Sequence, residues 1–105
     1  MQKIKAIIKR PDEAYGHVTW ISNTLENFQR NVGGYIEPIA LTKNLVIICN
    51  EEGKINGLQP NFIVGSRLHE VICGDVIVCG VDGEEFSDVP IEFGTWKRML
   101  TEWGN

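Results

Sequence analysis

The residues whose types could do chemistry concentrate in one segment that is rich in glycine and asparagine, Asn50 to His69. This segment combines amide side chains, two adjacent carboxylates and cationic groups, a mixture that can bind a polar ligand or a partner surface. The candidate binding residues are Asn50, Glu51, Glu52, Lys54, Asn56, Asn61, Arg67 and His69. The alternative is that the asparagines form turns and that the paired carboxylates lie in solvent beside a glycine turn.

The sequence gives no support for catalysis. An enzyme needs a nucleophile, a base and an orienting group brought together, and the common signatures GxSxG, GxxxxGK, HExxH and GxGxxG do not occur. The enzymatic alternative pairs His69 with Glu51 or Glu52 as acid and base. We therefore predict a protein that is not an enzyme and assign no catalytic residue.

The three cysteines are predicted to be buried and reduced. Cys49, Cys73 and Cys79 are odd in number, and each lies in an apolar run, which is typical of a reducing compartment. A zinc site needs closely spaced ligands, and the nearest approach is His69 with Cys73. No apolar stretch approaches the roughly 20 residues that cross a bilayer. We expect no metal, no cofactor, no membrane contact and a cytoplasmic location.

Charge is distributed unevenly along the 105 residues, whose formal net charge is -4. Residues 1–10 contain four basic side chains and no acidic ones, whereas residues 61–105 contain eight acidic and three basic ones. Nucleic-acid binding through phosphates normally needs a basic excess, so direct nucleic-acid binding is not expected. The residues Asp82, Glu84 and Glu85 form a candidate acidic patch for a basic partner.

The elements that must position these residues follow from periodicity and turn signals. Alternating apolar and basic residues predict a first strand that ends near Arg10, with Lys3, Lys5 and Lys9 on its solvent face. Further strands are predicted at 15–21, 35–41, 44–50, 75–80 and 84–89, and helices at 23–32 and 90–103. Pro38 indicates that its strand lies at an edge or carries a bulge. The segment between residues 50 and 70 is predicted as a long loop.

This pattern predicts one α+β domain over residues 1–105. A hairpin comes first and strands do not alternate regularly with helices, which favours a mainly antiparallel sheet of five or six strands. We expect both helices on one face of that sheet. The opposite face would then expose apolar side chains, so a homo-oligomer is a possible partner state.

Two stretches, LENFQRNVGGYIEPIAL (25–41) and NLVIICNEEGKINGLQPN (44–61), resemble the family called domain of unknown function 3846. The later GDVIVCGVDGEEFSDV resembles the closing strand and turn of the same family. The resemblance implies a small accessory protein of a bacteriophage or mobile element, of the size used to antagonise a host defence. It supplies no catalytic motif and no ligand.

Two functions follow as hypotheses. In the favoured one, the protein is a binding or inhibitory module that acts on a host or defence protein, with its acidic C-terminal half against a basic surface. In the alternative, an oligomer sequesters a nucleotide-like small molecule, with the segment 50–69 around it and Lys3, Lys5 or Arg67 on its phosphates.

Overall fold

Eight strands and two helices make up the part of the chain that the computed structural model describes, residues 2–65 and 70–105. The candidate residues Arg67 and His69 lie outside the described residues. In chain order the elements are β1 (Lys3–Lys9), β2 (His17–Ser22), α1 (Leu25–Val32), β3 (Ile36–Thr42), β4 (Leu45–Asn50), β5 (Pro60–Val64), β6 (Glu70–Cys73), β7 (Val76–Asp82), β8 (Glu85–Ser87) and α2 (Phe93–Glu102).

The main sheet has six strands in the order β2-β1-β7-β4-β3, and β8 pairs with the end of β7 that β1 leaves uncovered. Every strand pairing in it is antiparallel. The predicted α+β class and the mainly antiparallel sheet are therefore confirmed. Pro38 lies on β3, an edge strand with a bulge between Ala40 and Thr42, as its inability to donate to a ladder predicts.

The two helices lie on opposite faces of this sheet, so the prediction of both on one face is wrong. Phe28 and Val32 of α1 pack on one face, and Trp96 and Leu100 of α2 pack on the other. Strands β4 and β7 are apolar on both faces, and a sheet whose central strands are apolar on both faces needs cover on each side. The uncovered face that suggested a homo-oligomer is thus occupied by a helix.

The segment predicted as a long loop contains β5 and β6, which form a separate two-stranded sheet. This small sheet lies on the same side of the main sheet as α2, because Phe62 and Ile72 join the cluster that contains Trp96. The Phe62 and Trp96 rings meet edge to face, with centroids 5.6 Å apart. The small sheet therefore extends the core beyond the end of α2.

The predicted end of α1 at Val32 is confirmed, whereas α1 begins two residues later than predicted, and α2 begins three residues later and ends one residue earlier. The N-cap of α1 is Thr24 and not Asn23, because the Asn27 N–H donates to Thr24 Oγ1 at 3.2 Å. Gly33 ends α1 in the left-handed conformation, with φ at 77°. Neither helix in the described residues is long and apolar enough to cross a membrane.

Candidate binding cleft

A cleft of about 210 Å³ opens where the turn after β4 meets β3 and β6. We call it the acidic cleft and define it by the residues that line it. These residues are Glu37, Ile39, Cys49, Asn50, Glu51, Glu52, Gly53, Lys54, Ile55, Glu70, Val71, Ile72 and Cys73. Four of the eight residues predicted to bind a ligand or partner therefore line one opening, together with residues from β3 and β6.

Backbone hydrogen bonds hold the turn at the mouth of the cleft. The Gly53 N–H donates to the Asn50 C=O at 3.2 Å, and the Asn56 N–H donates to the Glu52 C=O at 2.8 Å. The Leu58 N–H then donates to the Gly53 C=O at 2.9 Å. These bonds fix the backbone of the turn, and the side chains of Glu51, Glu52, Lys54 and Ile55 are exposed on it. Asn56 is exposed on this turn and does not line the cleft.

The amide of Asn50 is used by the fold. Its Nδ2 donates to the C=O of Val32 at the end of α1 at 3.1 Å, and its Oδ1 accepts from the Glu52 N–H at 2.8 Å. The side chain is 7% exposed, so these bonds replace water at a buried site. Gly34 is needed beside it, because a Cβ there would lie 2.8 Å from Asn50 Nδ2. Asn50 therefore ties β4 to the end of α1.

Asn61 lies outside the cleft and anchors a buried lysine. Its Nδ2 donates to the C=O groups of Lys9 and Gly74, at 2.9 and 2.8 Å, and its Oδ1 accepts from Lys9 Nζ. Lys9 is 2% exposed and lies over the Phe62 ring, so its predicted place on the solvent face is wrong. The small sheet covers this end of β1. Burial lowers the pKa of Lys9, and the nearby Glu13 carboxylate opposes that shift.

The charged side chains of the cleft are mostly acidic. Glu37, Glu51, Glu52 and Glu70 supply four carboxylates, and Lys54 supplies the one ammonium group among the described lining residues. The Lys54 Nζ lies 4.0 Å from Glu70 Oε1, with both side chains 60% exposed. Such an exposed pair is weak, so the described part of the cleft keeps a negative potential.

Two thiols line the cleft, Cys49 and Cys73, and burial makes Cys49 a poor nucleophile. Burial raises the pKa of Cys49 to about 11, and the Glu37 carboxylate adds to the shift. The Cys49 Sγ donates to the Glu37 C=O at 3.6 Å. A neutral thiol is a poor nucleophile and a poor metal ligand. Among residues 2–65 and 70–105, no group of three or more histidine, cysteine or acidic side chains is placed to hold a metal ion.

The cleft also exposes apolar side chains, which the sequence analysis missed. Ile55 is 83% exposed at the tip of the turn, and Val71 is 37% exposed on β6. The signal that could have identified Ile55 is an isolated apolar residue between the two glycines of an otherwise polar turn, GKING. Glu37 and Glu70 were missed because they lie far from the turn in sequence and reach it only through β3 and β6.

The predicted acidic patch is a separate feature. Its residues are Asp82, Glu84 and Glu85, all exposed around the β7–β8 turn at Gly83. The pairing of Leu45 with Gly80 places that turn near the start of β4, whereas the acidic cleft lies at the end of β4. The two acidic features therefore lie at opposite ends of the sheet.

The structure defines a small α+β protein with a helix on each face of an antiparallel sheet and an acidic cleft beside one edge strand. The chain matches the family model described as Domain of unknown function (DUF3846) over residues 4–101 and belongs to that family, which confirms the resemblance. No curated protein and no solved structure matches the chain.

Proposed function

We propose that this protein is a non-enzymatic binding module that inhibits a host or defence protein, as an accessory protein of a phage or mobile element. The acidic cleft is the binding surface, and its partner presents a segment that combines basic and apolar side chains. The observation that carries the proposal is the exposed Ile55 beside the cleft's four glutamates.

This combination supports protein binding for two physical reasons. Ile55 is 83% exposed, and covering an apolar side chain with a partner lowers the free energy of the complex. Val71 lies beside the same opening and adds to the apolar surface. Carboxylates around an apolar contact attract a basic partner and accelerate its association. The binding rate is therefore expected to fall as salt screens these charges.

The size and charge of the cleft give no support to the nucleotide-like ligand. A volume of about 210 Å³ lies below the roughly 300 Å³ at which pockets for drug-sized ligands begin. Phosphates would be repelled by the carboxylates of Glu37, Glu51, Glu52 and Glu70. The Asn50 and Asn61 amides, predicted to bind such a ligand, are hydrogen-bonded within the fold. The cleft instead has room for a single long side chain.

The test is a binding measurement with a fluorescent peptide that alternates lysine and leucine. The double variant Glu51→Lys, Glu52→Lys reverses charge at the cleft, and Glu84→Lys, Glu85→Lys makes the same change of net charge at the β7–β8 turn. We expect the cleft variant to lose affinity at least ~tenfold and the control variant to change less than ~twofold. Ile55→Ser should also weaken binding, and this loss should depend less on salt than the loss in the Glu51→Lys, Glu52→Lys variant.

Three outcomes would contradict the proposal. Equal losses in the two double variants would show that only overall charge matters, and a loss confined to the control would move the site to the β7–β8 turn. Stabilisation of the protein by nucleotides in a thermal-shift assay would favour the small-molecule alternative. The proposed accessory role in a phage or mobile element is tested by the neighbouring genes. Anti-defence genes beside it would support the role, and replication genes would oppose it.

A further inference from the structure

The two edge strands of the main sheet differ in how well they are protected against pairing. The β3 edge carries Pro38 and a bulge, both of which block the addition of another strand. The β2 edge, HVTWIS over His17–Ser22, contains no proline, lysine, arginine or carboxylate. Unprotected edges of this kind pair with other strands.

The hydrogen-bond phase of the β1–β2 ladder shows which backbone groups β2 leaves free. The Asn23 N–H donates to the Gln2 C=O at 3.0 Å, so these two residues form a hydrogen-bonded pair. Antiparallel ladders alternate, and therefore the N–H and C=O groups of Val18 and Trp20 point away from β1. Within the described part of the chain, no partner satisfies these four groups.

The side chains of the same two residues are exposed. Trp20 is 59% and Val18 is 39% exposed, and both lie on one face because side chains alternate along a strand. The next outward-pointing carbonyl, that of Ser22, is already occupied by the Thr24 N–H at 2.9 Å and by Asn27 Nδ2 at 3.0 Å. Free backbone groups and exposed apolar side chains thus coincide at Val18 and Trp20.

We propose that β2 pairs antiparallel with β2 of a second copy of this chain, about a twofold axis at Thr19. In this register Val18 lies opposite the partner's Trp20, and Trp20 lies opposite the partner's Val18. All four free backbone groups of each copy's two residues are then paired, and each tryptophan packs against a valine across the strands. The two main sheets become one continuous sheet.

The chemistry of β2 favours a copy of itself as the occupant. The strand contains no lysine, arginine or carboxylate, and its histidine, His17, lies opposite the second copy's Ile21 in this register, so no like charges face each other across the twofold axis. A register that placed Val18 opposite Val18 would leave Trp20 opposite Gly16, without a side chain to contact. A register centred on Trp20 would place Val18 opposite Ser22, whose carbonyl is already used. Of these three registers, only the one centred on Thr19 gives Trp20 a side chain to contact and pairs Val18 with a residue whose carbonyl is free.

The dimer is independent of the proposed binding function. The acidic cleft lies beside β3, at the other edge of the sheet, so pairing through β2 leaves the cleft open. An interface built on one short strand per copy is small, and small interfaces are transient and concentration-dependent. The expected species is a weak dimer with one cleft at each end.

The first experiment uses cysteine cross-linking at the twofold axis. Thr19 would face the partner's Thr19 in a pair without hydrogen bonds, with Cα atoms about 4.5 Å apart, within the range of ~4.4–6.8 Å for disulfides. With oxidised glutathione as oxidant, Thr19→Cys should give a disulfide-linked dimer. The matched control is Thr42→Cys on the protected β3 edge, and wild type controls for the native cysteines.

The second experiment measures mass by sedimentation over a range of concentrations. Wild type should move from monomer towards dimer, and Trp20→Lys should remain monomeric because an edge lysine blocks pairing. Val18→Lys provides a second variant, and circular dichroism verifies the fold of both. The proposal is overturned if wild type stays monomeric throughout, if both lysine variants dimerise like wild type, or if Thr19→Cys cross-links no faster than Thr42→Cys.

Discussion

Replacing Asn61 by alanine tests whether this residue is a structural anchor or a ligand-binding group. Asn61→Ala removes two hydrogen bonds to backbone carbonyls, those of Lys9 and Gly74, and a third to the Lys9 ammonium. Lys9 is 2% exposed, so its ammonium is left with little access to water. The change therefore removes the side-chain hydrogen-bond acceptor of the Lys9 ammonium and one donor from each of the two carbonyls.

The size of the effect follows from these three bonds. A neutral hydrogen bond contributes about 1 kcal/mol, and one to a charged group about 2 kcal/mol. Asn61 is half-buried, so water admitted by the truncation recovers part of the loss. We expect the free energy of unfolding to fall by about 3 kcal/mol, which lowers the melting temperature by roughly 12 °C in a domain of this size.

The matched control is Asn56→Ala, the same substitution at an exposed position of the β4–β5 turn. It should change the free energy of unfolding by less than ~0.5 kcal/mol. Both variants are compared with wild type by urea unfolding and by calorimetry. Below its melting temperature, Asn61→Ala should still bind the lysine-leucine peptide, since Asn61 lies outside the acidic cleft.

Two results would refute this reasoning. If Asn61→Ala is no less stable than Asn56→Ala, the contacts around Lys9 do not stabilise the fold. If Asn61→Ala keeps its stability and loses peptide binding, Asn61 belongs to the binding surface and the cleft has been placed wrongly. A large loss of stability with binding intact is the outcome that the structure predicts.

Three further outcomes are expected. Gly16→Ala should lower the free energy of unfolding by at least ~2 kcal/mol, because Gly16 has φ at 84° and a Cβ would collide with a β1 carbonyl. Gly94→Ala, at an exposed position of α2, should raise the free energy of unfolding by about 0.5–1 kcal/mol. Urea unfolding measures both changes. In the native protein iodoacetamide should label the half-buried Cys73 before Cys49 and Cys79, as followed by mass spectrometry. Burial raises the pKa of Cys79 to about 12, so the folded thiol keeps a proton that the unfolded thiol loses above about pH 9. The free energy of unfolding should therefore fall between these pH values, less steeply in Cys79→Ala.

The central strands could be predicted from the sequence because the apolar pattern of each strand reflects directly which of its faces are buried. Alternation over residues 3–6 matches the one buried face at the start of β1, and the continuous apolar run of β4 predicts a strand covered on both faces. From Ala6 to Lys9, β1 is buried on both faces, which its alternation does not predict. The apolar run of β4 implies that cover must exist on both faces, which the prediction of two helices on one face ignored. The apolar stripes of α1 and α2 do not themselves show which face each helix covers.

The small sheet could not be predicted because its strands are short and lie among turn residues. β5 begins at Pro60, β6 has four residues, and each buries few side chains of its own. Their stability comes from Phe62 and Ile72, which join a core assembled by distant parts of the chain. The burial of Lys9 depends on this sheet, so local alternation places that side chain on the wrong side.

The acidic cleft was only half predicted because charge acts through space and not along the sequence. Its carboxylates come from β3, a turn and β6, so no sum over a continuous segment identifies them. The β7–β8 turn lies at the far end of β4, a strand of six residues that spans ~17 Å. This exceeds the screening length of ~8 Å at physiological salt, so each acidic feature acts on its own surroundings. Charge reversal at one end therefore leaves the potential at the other nearly unchanged, which makes the two double variants a matched pair.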